Sequence, residues 1–205
     1  MSQPPDAAPS PQDKAQRLDA LRQEMEQCQH CELCRTRTNL VFGVGAPDAE
    51  ILFIGEAPGA DEDAQGIPFV GRAGKKLTEI IEKGMKIPRD EVYIANILKC
   101  RPPGNRNPSP QEMAVCMPYL LRQIDIIAPA VIVALGSVAL NGLLGPGHAI
   151  TKMRGIFQDF NGIPLMPTFH PSYVLRRYTV EVRKQVWSDM CKVLDKLAEL
   201  KGTGG

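Results

Sequence analysis

Four of the six cysteines in this chain of 205 residues have a spacing that is typical of metal ligands. Cys28 and Cys31 form a C-x2-C pair, and Cys100 and Cys116 form a second pair with fifteen residues between them. Soft thiolate ligands select zinc or an iron–sulfur cluster, and the wide, uneven spacing favours the cluster. The alternatives are that Cys100 and Cys116 are buried core residues and that Cys34 is a spare or competing ligand.

Three segments with chemically useful side chains or main-chain groups each follow a short apolar run. They are Gly55–Gly59, Asn96 and His170–Ser172. Short apolar runs that end in such residues are typical of buried parallel strands. Because ligands bind at the carboxyl ends of the strands in α/β folds, we expect the three segments to line one cleft.

The elements that must position these residues alternate between strand and helix, which predicts an α/β fold with a mainly parallel sheet covered on both faces. Asn161-Gly162 indicates a hairpin turn, and Ser109 with Glu112 forms a capping box that begins a helix. Residues 55–72 are rich in glycine and proline and are predicted to be a loop. Predicted strands cover residues 51–54, 92–95, 131–135, 156–160 and 163–166, and predicted helices cover 13–27, 73–84, 110–128, 137–144 and 180–200.

Composition limits the class of protein. The net charge is only +1, so a globally basic nucleic-acid-binding protein is not indicated, although a local basic patch would suffice. No run of eighteen apolar residues and no basic–apolar leader are present, so we expect a cytoplasmic protein with no membrane contact. The cytoplasm is a reducing compartment, which favours cysteines that bind metal over cysteines that form disulfides. We expect a disordered tail over 1–12, one domain over 13–200 and a flexible C-terminus over 201–205.

The motifs follow one another in a distinctive order. They are Gly55-Glu56-Ala57-Pro58-Gly59 with Glu62-Asp63, Gly66–Gly71, Asn96, Lys99–Pro103 and His170–Ser172. Together they resemble the motifs of family 4 uracil-DNA glycosylases, from Cys28 to Arg177 and without long gaps. The resemblance implies an enzyme of base-excision repair that flips uracil out of DNA and hydrolyses its N-glycosidic bond, leaving an abasic site. It also implies a three-layer α/β/α sandwich with a four-stranded, mainly parallel sheet.

The resemblance further implies a structural 4Fe-4S cluster on Cys28, Cys31, Cys100 and Cys116. The partner of such a protein would be uracil-containing DNA, single- or double-stranded. We expect the protein to be a monomer. The alternative is a non-catalytic, metal-bearing DNA-binding module in which the cysteines hold zinc. The stretch between Cys100 and Cys116 lacks the histidine on which a related group traps its product, so we expect turnover.

Three side chains are candidates for holding the flipped base. Phe69 offers a stacking surface. The Asn96 amide can accept from N3–H and donate to O4 of uracil, and cytosine would leave these groups unpaired at about 1–3 kcal/mol each. A neutral His170 can donate to O2 and stabilise the departing anion. The main-chain N–H groups around Ala57–Gly59 are a further candidate site for O2. The alternatives are a core phenylalanine, a turn-capping asparagine and an ordinary histidine.

The sequence offers two carboxylates as candidates for orienting the attacking water. The best-known uracil glycosylases carry Gly-Gln-Asp-Pro-Tyr-His in the first motif, but Ala57 and Gly59 stand here in place of the Asp and the Tyr. Glu56 and Glu62 are the candidates, or no carboxylate acts as a strong base. Glu56 or the loop backbone is also the candidate for rejecting the methyl group of thymine.

The segment from Ser172 to Arg177 is predicted to be the loop that contacts DNA. Leu175 is the candidate wedge for the gap left by the flipped nucleotide, with core packing as the alternative, and Arg176 and Arg177 are candidate phosphate contacts. Lys75, Lys76, Arg101 and Arg106 are further phosphate candidates or ordinary surface charges.

Overall fold

The structure, a computed structural model, describes residues 9–202. The tail expected over 1–12 and the C-terminus expected over 201–205 therefore lie mostly outside the described residues. Helix α1 spans Pro11–Glu26, with Ser10 as its N-cap, so two residues assigned to the tail belong to the helix. The last helix likewise continues to Gly202 rather than ending at residue 200.

Six strands form one sheet in the order β1-β3-β2-β4-β6-β5. The four central strands, β3, β2, β4 and β6, are parallel, as predicted. The four-stranded sheet implied by the resemblance lacks the antiparallel edge strands β1 and β5, although the sequence did predict the strand over 156–160 that contains β5. Strand β1 is only two residues long, which is too short for a periodic signal. The strands are β1 Val44–Gly45, β2 Ile51–Gly55, β3 Tyr93–Asn96, β4 Val131–Leu135, β5 Gln158–Phe160 and β6 Ile163–Thr168.

Helices cover both faces of the sheet, and α4 has the capping box predicted from Ser109 and Glu112. Two short helices, α2 and α7, occupy segments that were predicted to be loops. No helix of the described part is long and apolar enough to cross a membrane. The remaining helices are α2 Ala60–Gln65, α3 Arg72–Thr78 with a π-helical continuation Glu79–Met85, α4 Pro110–Ile127, α5 Gly136–Leu144, α6 Ile150–Met153, α7 Pro171–Arg176 and α8 Val180–Gly202.

Alternation along the central strands divides the core into two layers. In β2, Leu52 and Ile54 pack with residues of α1, α4 and α5, whereas Ile51 and Phe53 pack with α3, its π-helical continuation and α8. All four side chains are buried, which is why the strand is a continuous apolar run. The fold is therefore the expected three-layer α/β/α sandwich.

The register of the central strands sets the position of the functional groups. Gly55 lies opposite Asn96, and Leu135 lies opposite Thr168, so the residues that follow all four parallel strands meet at one edge. This edge is where a doubly covered parallel sheet forms a ligand crevice.

Candidate active site

A cleft of about 630 Å³ opens at the carboxyl ends of the parallel strands. It brings together residues from the three sequence segments predicted to meet. Of the predicted site residues, the cleft is lined by Glu56, Ala57, Pro58, Gly59, Glu62, Phe69, Asn96, Arg106, His170, Ser172 and Arg176. The predicted residues that do not line it are Lys75, Lys76, Arg101, Leu175 and Arg177.

Asn96 presents an unpaired acceptor at the floor of this cleft. Its side chain is 1% exposed, and its Oδ1 atom has no hydrogen-bond partner in residues 9–202. An unpaired buried polar atom costs about 1–3 kcal/mol, so such atoms in native proteins call for a ligand or another explanation. A Cβ atom on Gly55 would lie 2.4 Å from this oxygen and 2.5 Å from the Phe69 ring. Gly55 is therefore required for both side chains to reach the cleft.

Phe69 is held in a strained conformation. Its φ angle is 54°, in the left-handed region that a bulky residue rarely adopts. The guanidinium of Arg89 donates to the carbonyl groups of Pro68 and Phe69 at 3.0 and 3.1 Å, and to the Thr78 hydroxyl. A side chain on Gly74 would collide with the Phe69 carbonyl, so α3 can pack this closely only with glycine there. These contacts fix the ring at the cleft, where its centroid lies 5.7 Å from that of His170.

His170 is fixed in one tautomer by the helix that it caps. The Ser172 main-chain N–H donates to Nδ1 at 3.1 Å, and the Ser172 hydroxyl lies 2.8 Å from the same nitrogen. Nδ1 is therefore an acceptor, and the proton of the neutral ring resides on Nε2. Burial, with a smaller effect from the Arg176 charge, lowers the pKa of His170 to about 4. At neutral pH the ring is an uncharged N–H donor.

The two carboxylates that were candidates for orienting water have different surroundings. Glu62 accepts main-chain hydrogen bonds from Gly59, Val70 and Gly71 at 3.1, 3.0 and 2.9 Å. It ties the start of α2 to the loop that carries Phe69, which argues against a role in water activation. Within the described chain, no hydrogen bond or ion pair engages the half-buried Glu56 carboxylate. Burial raises its pKa above the ordinary value.

The main-chain donors of the first motif are fewer than expected. Pro58 has no N–H, and the N–H of Gly59 donates to Glu62. Ala57 alone among these three has a main-chain N–H that no other described residue accepts. Of the main-chain groups expected around Ala57–Gly59, the N–H of Ala57 is therefore the one left to donate to a ligand.

The predicted DNA-contact loop is largely a helix. Residues 171–176 form α7 because His170 caps its first turn and Pro171 occupies its first position. Leu175 is half-buried on this helix, while Val174 is the residue buried in the core. Arg176 is exposed at the cleft rim, and Arg177 is exposed beyond the helix.

The other basic candidates differ in how far their charges are already neutralised. Arg106 makes a bidentate ion pair with Glu112, with N–O distances of 2.6 and 2.8 Å. This pair, opposed by some desolvation and aided by the Ser109 N–H, lowers the pKa of Glu112 to about 2. Lys76 pairs with Glu79, whereas Arg101 donates to the neutral Asn105 side chain at 2.8 Å. Lys75 is exposed.

Sequence reasoning missed several residues of the cleft wall. Tyr173 and Ser137 line it, as do Asn105 and Asn107 from the loop before α4. Gly136 is needed behind the site, because a Cβ atom there would lie 2.9 Å from the His170 Cβ. A glycine directly after a buried strand, on the edge where ligands bind, was the signal available for this close approach.

The four predicted ligand cysteines pack against one core layer, which Cys34 does not join. Burial raises the pKa of the Cys116 thiol to about 11, and the charges of Cys100 and Cys28 act in the same direction. The thiols of Cys100 and Cys31 likewise have pKa values raised first by burial and further by the charge of Cys28. These mutual effects show that the thiols are electrostatic neighbours.

In residues 9–202, no three histidine, cysteine, aspartate or glutamate side chains are close enough together to hold one metal ion. A four-iron cluster needs a wider arrangement, because each cysteine binds a different iron. The Arg37 guanidinium donates to the Cys100 sulfur at 3.1 Å, and a cation at this position favours the thiolate form that binds metal. Four soft donors spread around one buried region fit a cluster better than a single ion.

Comparisons with known proteins agree with this arrangement. Residues 42–191 match the family model of the uracil DNA glycosylase superfamily. The chain is 48% identical over 178 residues to the type-4 uracil-DNA glycosylase of Thermotoga maritima, and the aligned region covers 85% of this chain and 92% of that relative. It is 44% identical over 184 residues to the type-4 uracil-DNA glycosylase of Sulfurisphaera tokodaii, covering 86% and 83%. A type-5 uracil-DNA glycosylase of Pyrobaculum aerophilum is 29% identical over 162 residues, covering 69% and 71%.

Proposed function

The chain belongs to the type-4 group of the uracil-DNA glycosylase superfamily, and on this premise we propose that the cleft is where it removes uracil from DNA. The enzyme is a hydrolase of N-glycosyl bonds that acts in base-excision repair. A base in a duplex is inaccessible to such a cleft, so the nucleotide must be flipped out of the stack. The observation that carries the assignment is the buried, unpaired Oδ1 of Asn96 beside the fixed Phe69 ring.

In the proposed complex, uracil stacks on Phe69 and its N3–H donates to Asn96 Oδ1. The Asn96 amide nitrogen donates to O4. Cytosine has an acceptor at N3 and a donor at C4, so both contacts would be lost, at about 1–3 kcal/mol each. Glu56 is the candidate for rejecting the methyl group of thymine, because it lines the cleft next to the base.

Bond cleavage proceeds with departure of the uracil anion. The C1′–N1 bond breaks, and its electron pair leaves with the base, giving an oxocarbenium-like sugar. The Nε2–H of neutral His170 and the free N–H of Ala57 donate to the developing negative charge on O2. Water then adds to C1′ and loses a proton, while the departed base gains one. Glu56, rather than Glu62, orients this water, since its carboxylate has no other engagement.

A 4Fe-4S cluster would be held by Cys28, Cys31, Cys100 and Cys116, and its chemistry would be structural. It would tie the N-terminal segment to the segment that follows Asn96 and to α4. Cys34 is left outside this set. Arg176 and Arg177 are the proposed phosphate contacts on the DNA side, with Ser172 and Leu175 facing the same strand from α7.

The test is incubation of the anaerobically purified protein with a labelled uracil-containing oligonucleotide, followed by alkali, beside matched thymine and cytosine strands. We expect strand cleavage only at uracil, on both single- and double-stranded substrates. No SDS-stable protein–DNA adduct should accumulate. Absence of cleavage by folded, cluster-loaded protein would contradict the proposal and favour a non-catalytic DNA-binding module.

A further inference from the structure

Lys99 is a fully buried lysine, at 0% exposure, and its charge has no carboxylate partner in the described chain. Its Nζ donates to the main-chain carbonyl of Asn96 at 2.8 Å. Lysine is almost never fully buried unless its charge is paired, since an isolated ammonium in an apolar interior is strongly unfavourable. The fold therefore calls for an anion near this side chain.

Lys99 lies beside the cysteine site, because it directly precedes the predicted ligand Cys100 in the chain. Against the larger effect of burial, which raises the pKa of the Cys116 thiol, the charge and the main-chain N–H of Lys99 both lower it. Arg37 provides a second cation, through its 3.1 Å contact with the sulfur of Cys100. A 4Fe-4S core of charge two plus with four thiolates carries two negative charges, so one lysine and one arginine neutralise it.

The same ammonium also reaches the base-binding side of the molecule. The carbonyl that it binds belongs to Asn96, whose side chain carries the unpaired Oδ1 in the cleft. The intervening residues are fixed against the first motif, because Ile97 and Leu98 donate main-chain hydrogen bonds to Gly55 and Glu56 at 2.9 and 3.0 Å. Lys99 thus spans from the cysteine site to the floor of the cleft.

We propose that Lys99 is a positioning residue that couples the cluster to uracil recognition: the cluster's negative charge holds the buried ammonium, and the ammonium holds Asn96 in register with the base. The inference rests on the proposed function and on the proposed cluster. It gives the cluster a specific role in the cleft, beyond joining distant segments.

The experiment compares Lys99→Met, Lys99→Gln and a matched control, Gln123→Met, in the cluster-loaded protein. Gln123 is also a polar side chain at 0% exposure, but it contacts Phe42 and Tyr93 rather than Asn96 or a cysteine. The readouts are the single-turnover rate of uracil excision, the affinity for uracil-containing DNA, and the midpoint reduction potential of the cluster.

For Lys99→Met, we expect the excision rate to fall at least tenfold while DNA affinity changes less than twofold. The reduction potential should become more negative, because a nearby cation stabilises the extra electron. Lys99→Gln retains a donor without the charge, so its potential should shift similarly while its rate falls less. Should Lys99→Met not fold with a cluster, Lys99→Gln alone carries both expectations. Gln123→Met should lower the melting temperature and leave rate and potential unchanged.

A wild-type rate and potential in both Lys99 variants would overturn the inference, as would equal losses in Gln123→Met or a wild-type protein that contains zinc. These outcomes are separable from failure of the proposed function. If the wild-type protein does not excise uracil, the function fails while the shift in potential still tests the charge coupling. If it excises uracil and Lys99→Met does so equally well, the function stands and the coupling is wrong.

Discussion

Two cavities of similar size lie at opposite ends of the same sheet. The proposed active-site cleft, of about 630 Å³, is at the carboxyl ends of the parallel strands, and a second groove, of about 540 Å³, is at the amino ends of β2 and β3. The groove is lined by residues 46, 48–51, 87, 91 and 92 and by the last turns of α8. Volume therefore does not distinguish the two.

The distinction lies in the polar groups. The cleft contains a buried oxygen without a partner, a phenylalanine with positive φ and a neutral histidine of fixed tautomer. The polar groups of the groove are surface charges such as Glu50, which already pairs with Lys201 at 2.8 Å. Gln123 Oε1 is also buried without a partner in residues 9–202, but Gln123 lines neither cavity, so the combination of these groups in one cavity marks the proposed site.

The largest effect is expected from His170→Ala. Loss of one donor to a developing anion reduces rates by roughly 10²–10³-fold, so single-turnover excision should fall by about that factor. DNA affinity should be little affected, since the contact strengthens only as the bond breaks. Rapid-quench measurement of excision would check this, and a variant within a few-fold of wild type would contradict the assignment of His170.

Asn96→Ala should come next. At the lower end of the usual range of about 1–3 kcal/mol for each contact, loss of both the acceptor for N3–H and the donor to O4 removes about 2 kcal/mol, so the excision rate should fall roughly 30-fold. Discrimination against cytosine should weaken in the same variant. If the excision rate falls but the selectivity for uracil over cytosine is unaltered, the role of Asn96 is purely structural.

Substitution of Glu56 and Glu62 tests which of the two carboxylates in the cleft orients the attacking water. Glu56→Gln should reduce excision by more than Glu62→Gln, although by less than the roughly 10²–10⁴-fold of strong general-base catalysis. Glu62→Gln keeps an acceptor for the Phe69 loop, so it should mainly lower the melting temperature. If Glu62→Gln reduced excision more than Glu56→Gln, Glu62 would be the residue that activates water.

The pH dependence should be shallow near neutrality. Because the pKa of His170 is about 4, excision should be constant from pH 6 to 8 and fall to about half near pH 4. Between this value and the ordinary histidine pKa of about 6.5, the unfolded chain binds more protons. The free energy of unfolding should therefore rise with pH across that window, and His170→Gln should remove this contribution. Denaturant titrations at several pH values would show it.

The smallest effect is expected in the groove. Glu50→Gln breaks an exposed ion pair of the kind that is typically worth about 0–1 kcal/mol, so stability should change by no more than that. Excision should equal that of wild type. A substantial loss of excision would mean that the second cavity contributes to function and that the comparison fails.

Much of this cleft was predictable because local sequence determines where strands end. Phe69, Asn96 and His170 each follow or flank glycine- and proline-bounded elements, and strand register brings them to one edge. The roles that sequence could not assign depend on contacts between distant residues. Arg89 supports Phe69 from twenty residues away, and Glu62 is engaged by residues on the next loop. Helix α7 was missed because its six residues are too few for helical periodicity.

The most direct test is a crystal structure of the protein bound to DNA that contains a non-cleavable 2′-fluoro-2′-deoxyuridine. We expect the flipped uracil in the cleft, stacked on Phe69, with N3–H donating to Asn96 Oδ1 and the Nε2 atom of His170 facing O2. A uracil that remains stacked in the duplex, or that lies in the groove at the other end of the sheet, would contradict it.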